Sequence, residues 1–168
     1  SWLYTEPLLN PRRLLVLGGG HCALALSKVA REAGFHVTVA DDRANLATLR
    51  DNYAAHQCLS LRDLSEAAGQ IAFPELTSVV AMGTDIESDL KSLSGVLRRP
   101  FPFIGLMGAP AKISRIRQAL TDSGLGPEAL SRITAPVGLP IGSRTPQEIA
   151  ISVTAQLIQR DRLTQPAV

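Results

Sequence analysis

A chain of 168 residues, 45% hydrophobic and 19% charged, can bury one substantial core and is too apolar for a disordered segment. Its formal net charge of +2, with Lys and Arg interspersed among Asp and Glu, lacks the basic stripe of a nucleic-acid binder. No apolar run approaches the roughly 18 residues that span a bilayer and no signal peptide is visible, so neither nucleic acid nor membrane is an expected partner.

In chain order, Arg13 to Leu17 is a short apolar run suited to a buried parallel strand. After three glycines, Ala23, Leu26, Ala30 and Ala33 recur at helical spacing, and Gly34 is placed to end that helix in a left-handed conformation. His36 to Ala40 reads as a second strand closed by Asp41-Asp42, and Ala44 to Arg50 as a short helix. Cys58-Leu59 is a short third strand and Ser78 to Met82 a clear fourth, followed by a helix from Asp85 to Leu97. Phe101 to Met107 is the fifth, followed by a helix from Ala111 to Asp122. The last helix is expected from Pro146 to Arg160, with Thr145 and Glu148 at capping-box spacing. The stretch Ser131 to Pro146 is irregular, but its apolar residues mark a packed connection.

Strands alternating with helices predict an α/β fold with a doubly wound, mostly parallel sheet covered on both faces. The two cysteines, Cys22 and Cys58, have neither CxxC nor metal-ligand spacing and no metal site is expected. They read as reduced, partly buried thiols of a cytoplasmic protein. One domain over 1–168 is expected, and the Ser-Trp start suggests a fragment or a piece of a longer protein.

The chemistry concentrates at Gly18-Gly19-Gly20. Gly18, Gly20 and Ala23 fit G-x-G-x-x-A between a strand and a helix, which makes the fold Rossmann-like. The first position permits a tight turn, the second lets backbone approach a phosphate, and the third lets helix and strand pack closely. The helix start offers free N–H groups and the positive end of its dipole to the anion. Asp41, at the end of the next strand, is placed to accept hydrogen bonds from a ribose diol, with Arg43 nearby. His21 either lies over the anion or is a solvent-facing residue at the helix start, and Cys22 is expected under the turn rather than as a reactive thiolate. His36 and His56 read as structural.

Other candidates belong to the same rim, outside the carboxyl ends of the strands. Gly83, Thr84 and Asp85 follow strand four, with Asp85 as a helix cap or a ligand contact and Asp89 one turn on. Gly108 ends the fifth strand segment, and Lys112 stands near the next helix start to help bind an anion. No nucleophile elbow, HExxH or Walker lysine is present, so no catalytic residue is assigned and the sequence supports a binder over a catalyst.

Several segments together resemble one family: "LGGGHCA", "VTVADDR", "DIESDLKSL", "PFIGLMGAPAK" and above all "RITAPVGLPIGSRTPQEIAISVTAQLI". From about Leu8 to Ile158 the chain resembles the C-terminal Rossmann domain of the XdhC/CoxI family, accessory factors for xanthine dehydrogenase and related molybdenum hydroxylases. The resemblance implies binding of molybdenum cofactor (molybdopterin), its phosphate at the glycine turn, and its delivery to an apo-hydroxylase. It implies a xanthine dehydrogenase-like client, with a sulfurtransferase and a second copy of the chain as further candidate partners. The chain departs from the family at Gly83-Thr84-Asp85, where a histidine is lost. It departs again at Gly108 to Lys112, where a hydroxyl and two positive charges are lost. The usual N-terminal domain is absent from this sequence. The motif logic alone also admits a regulatory domain that binds NAD or another adenine nucleotide such as AMP, and an NAD-dependent oxidoreductase.

Overall fold

The structure, a computed structural model, describes residues 12–164; the expectations for the chain's first residues and for the resemblance before residue 12 lie outside them. Six strands are laid down as β1 (Arg12–Leu17), β2 (Phe35–Asp41), β3 (Gln57–Ser60), β4 (Thr77–Ala81), β5 (Phe103–Leu106) and β6 (Ile133–Thr134). They form one parallel sheet in the order β3-β2-β1-β4-β5-β6. The helices are α1 (His21–Glu32), α2 (Ala47–Arg50), α3 (Ile86–Val96), α4 (Pro110–Asp122), α5 (Pro127–Ser131) and α6 (Pro146–Thr164). Two 3-10 segments, Leu64–Gln70 and Pro74–Leu76, connect β3 to β4. This is the doubly wound α/β fold expected from the alternation of elements.

Period-two alternation divides the strand residues between two cores. Leu14 and Val16 of β1 join Val37 and Val39 of β2 and Val80 of β4 under α1 and α6, which contribute Ala23, Leu26, Ala30, Ala150, Val153 and Leu157. On the opposite face Leu15, Leu17, Val79, Ala81, Ile104 and Leu106 pack against Leu64, Leu93, Val96, Ile113 and Ile116. Both faces are therefore dry, and the carboxyl ends of the strands form one edge along which the loops must carry any site. β1 pairs with β2 on one side and β4 on the other, so the strand order reverses at β1 and a crevice opens there.

Helix ends follow the expected chemistry. Gly34 has φ +89° just past α1. Before α6, Glu148 N–H donates to Thr145 Oγ1 at 3.1 Å and Thr145 N–H donates to Glu148 Oε2 at 3.1 Å, a reciprocal box. Other boundaries moved for identifiable reasons. The helix expected from Ala44 is only the single turn α2, because Asn45 takes φ +54° and turns the chain first. β5 is shorter than Phe101 to Met107 because Pro102 has no N–H for the ladder.

The irregular stretch contains the short strand β6, paired Ile104 to Ile133 and Gly105 to Thr134, which the sequence expectation omitted. The remainder is a packed connection. Val137 N–H donates to Leu106 O at 3.0 Å, and Ser152 Oγ donates to Leu139 O at 2.8 Å. Cys22 is partly buried, but Cys58 is exposed on the edge strand β3, correcting the expectation of two partly buried thiols.

Arg132 opens this connection and secures the end of α3. Its guanidinium donates to Leu97 O at 2.8 Å, Arg99 O at 2.7 Å and Phe101 O at 3.2 Å. Arg132→Met leaves three partly buried carbonyls without this donor, and urea denaturation is expected to show a loss of about 2 kcal/mol.

Candidate functional site

β1 ends at Leu17, and three residues must turn the chain into α1. Gly18 has φ +100°, and a Cβ there would stand 2.8 Å from the Met82 carbonyl oxygen, so the backbone just past β4 demands the glycine. A Cβ on Gly19 would press on Leu46 and Leu49 at 3.3 and 3.2 Å. Gly20 is different. Its backbone is ordinary, φ −74° and ψ −166°, and the nearest atom to a Cβ there is Arg43 Nη2 at 4.0 Å. Neither conformation nor packing within the protein requires the glycine at position 20. The helix that follows has no side-chain cap and no acid in its first turn, so it presents an unneutralised positive end beside that open space.

Asp41, 2% exposed, locks this turn in place. Its Oδ2 accepts from Gly19 N–H at 2.6 Å and Arg43 Nη2 at 2.7 Å, and its Oδ1 accepts from Arg43 N–H at 2.8 Å and Arg43 Nε at 3.0 Å. Burial raises the carboxyl's pKa. The bonds from the Arg43 side chain and from the Gly19 and Arg43 N–H groups outweigh it together and hold the carboxyl below its ordinary value of 3.8. The carboxylate expected to meet a ribose is thus committed to the turn. Arg43 is held by that carboxylate with its side chain 41% exposed, and its Nη1 stays free of Asp41.

Across the crevice, the turn after β4 is held by a second buried acid. Asp89 Oδ1 accepts from Gly83 N–H at 2.8 Å, and Lys112 Nζ lies 2.6 Å from Oδ2, which has no other partner among the described residues. Lys112 also donates to Gly83 O at 2.9 Å. Burial pushes the Asp89 carboxyl above its ordinary value despite Lys112 and the Gly83 N–H. Lys112 therefore braces the Gly83 turn, a contact the spacing of residues along the chain did not reveal. Gly108 sits against this lysine, where a Cβ would be 3.0 Å from Lys112 Cδ. Asp85 caps α3, accepting from Ser88 N–H at 2.8 Å, while Thr84 Oγ1 makes only a 3.4 Å contact with Asp85.

The fold brings Gly18, Asp41, Arg43, Gly83 and Thr84 around one small cleft, with Asp42, Leu64 and Ser88, whose cavity volume is about 10 Å³. That is room for about one water molecule, so a phosphate would have to sit on the rim of the cleft and not within it. Gly20 and Arg43 form the adjoining rim, and Ala23 is buried beneath α1. His21 instead lines a groove between α1 and the start of α6, with Leu24, Lys28, Pro146 and Gln147. Burial pushes the Cys22 thiol above its ordinary value, which opposes thiolate chemistry. His36 and His56 stack on each other with ring centroids 4.5 Å apart, and His56 Nδ1 accepts from Val37 N–H at 3.0 Å, a structural role. Among the described residues no three His, Cys, Asp or Glu side chains are grouped to hold a metal, and no helix is long and apolar enough to cross a membrane.

The family model of the XdhC Rossmann domain matches residues 14–157. The chain is 31% identical over 148 residues to the uncharacterized protein YqeB of Escherichia coli, covering 88% of this chain and 27% of that protein. It is 31% identical over 147 residues to a Bacillus subtilis protein described as a probable xanthine dehydrogenase subunit, covering 88% of this chain and 42% of that one. A crystal structure described as a xanthine dehydrogenase from Bacillus halodurans superposes with a TM-score of 0.78 at 26% identity, over 94% of this chain and 44% of that one. The chain thus spans less than half the length of each of these relatives.

The glycines of the turn separate by substitution. Gly18→Ala, strained in φ and pressed on the Met82 carbonyl, is expected to cost at least about 2 kcal/mol. Gly20→Ala should cost under about 1 kcal/mol, the two being compared by thermal melts. The lowered pKa of Asp41 means its stabilisation is present above 3.8 and is lost as pH falls through its folded value. Asp41→Asn should lower the melting temperature at pH 7 and flatten its fall on acidification below pH 4, a curve read by circular dichroism.

Proposed function

Because this chain belongs to the XdhC family, we propose that it is an accessory factor whose glycine turn takes up the phosphate of molybdenum cofactor for delivery to a xanthine dehydrogenase-type molybdenum hydroxylase. The observation that carries the reading is Gly20. Space for a Cβ is left vacant where the fold has no need of it, between the uncapped start of α1 and the Arg43 guanidinium. Anions are stabilised at such a helix start, and an arginine adds charge-assisted hydrogen bonds. Two relatives described as xanthine dehydrogenase proteins support the choice of client.

On this reading the chain binds and presents cargo. The first N–H groups of α1 and Arg43 Nη1 hold the phosphate, while Asp41 keeps Arg43 and the turn in register. Gly18 lets the two loops approach at the strand reversal, and Gly83 leaves room for the Asp89 carboxylate that holds its own turn. The bound cofactor supplies redox chemistry in the client, so this domain needs no acid–base pair of its own. A second reading, an NAD- or AMP-binding regulatory domain, is favoured by the crevice lying at the reversal of strand order, where α/β sheets receive nucleotides.

The test is a calorimetric titration of wild type and Gly20→Asp with molybdopterin, NAD and AMP. The expected outcome is molybdopterin binding by wild type that Gly20→Asp abolishes, with the melting temperature of the free protein nearly unchanged. Binding of adenine nucleotides alone would transfer the site to the second reading.

A further inference from the structure

β2 runs into two consecutive acids, and the fold gives them different tasks. The two oxygens of a carboxylate offer about four lone-pair sites. Those of Asp41 already receive four N–H donors, one from Gly19 and three from Arg43. A ligand hydroxyl at Asp41 would have to displace the bonds that shape the glycine turn.

Asp42 is only partly buried and lines the same cleft as Gly83 and Thr84, which follow β4, and Ser88 in the first turn of α3. Among the described residues its carboxylate accepts no side-chain hydrogen bond. Its charge acts on Arg43 and on Lys91, and Asp85 also acts on Arg43. Asp42 is an acceptor at the edge of the cleft with capacity unspent.

We propose that Asp42, and not Asp41, is the carboxylate that reads the ligand, accepting a pair of neighbouring O–H or N–H donors while the ligand's phosphate lies at the start of α1. The inference rests on the reading of the glycine turn as a phosphate site. The donor pair has two chemical sources, a ribose 2′,3′-diol or the amino and ring N–H edge of a pterin. Both present two donors to one carboxylate. Asp41 is a positioning residue behind it, acting through Arg43 and Gly19.

The experiment titrates wild type and Asp42→Asn with molybdopterin, AMP and 2′,3′-dideoxy-AMP. Asp42→Asn should weaken the ligand that wild type binds by roughly ten- to a hundredfold, the loss of hydrogen bonds to a charged acceptor, with the melting temperature of the free protein unchanged. If AMP outbinds its dideoxy analogue in wild type and the two bind alike in the variant, the ribose diol is the source. Selective loss of molybdopterin binding identifies the pterin edge. If the variant binds as tightly as wild type, the inference about Asp42 fails while the phosphate reading stands. Tighter binding by the variant also overturns it, because removing a negative charge that merely repels the phosphate would give that sign. No binding of any of the three by wild type overturns both.

Discussion

The Asp41 carboxylate holds the Gly19 N–H at 2.6 Å, and through that bond the end of β2 fixes the turn that leaves β1. The same carboxylate accepts three further bonds from Arg43, so one buried acid sets both the direction of the chain into α1 and the position of the rim cation. A buried charge without partners would cost several kcal/mol. Here hydrogen bonds outweigh burial, and the acid stays below its ordinary pKa.

The device recurs on the other side of the strand reversal. Asp89 binds the N–H of Gly83 and is balanced by Lys112, as Asp41 binds the N–H of Gly19 and is balanced by Arg43. In each case a glycine N–H at a strand end, one buried carboxylate and one cation form a closed set. The two sets differ in exposure. The Lys112 side chain is 20% exposed and its ammonium also serves the Gly83 carbonyl, whereas Arg43 is 41% exposed and keeps Nη1 free of its acid. The first is a brace. The second offers donors to the outside.

Local rules made much of the fold legible. The apolar runs of β1 and β4, the helix spacing of Ala23, Leu26 and Ala30, Gly34 past α1 and the Thr145–Glu148 box all follow from chemistry within a few residues. What escaped depends on distant partners. β6 has two residues and exists because Ile104 and Gly105 are beside it, and α2 is short because Asn45 turns first. The site divides the same way. The glycine motif was visible, but the ion pair of Asp89 with Lys112 joins α3 to α4 and leaves no mark on sequence spacing. A sequence can place an acid at the end of β2. It cannot show that three donors of Arg43 and one of Gly19 have already filled that acid.

This saturation bears on how the cleft discriminates. A pre-formed Rossmann site for a dinucleotide uses the strand-end acid for ribose and the glycine turn for pyrophosphate. Here the strand-end acid is engaged and the cleft between the loops has a volume of only about 10 Å³, while Gly20, the start of α1 and Arg43 stand on the open rim. A phosphate can be gripped there with the rest of its molecule left outside. For a cargo carrier that arrangement is useful, because a client can reach the protruding part of the ligand before the phosphate is released. The geometry thus puts the donors that face outward on the rim, where Gly20 and Arg43 meet, and leaves the interior of the cleft to the bonds that shape the turn.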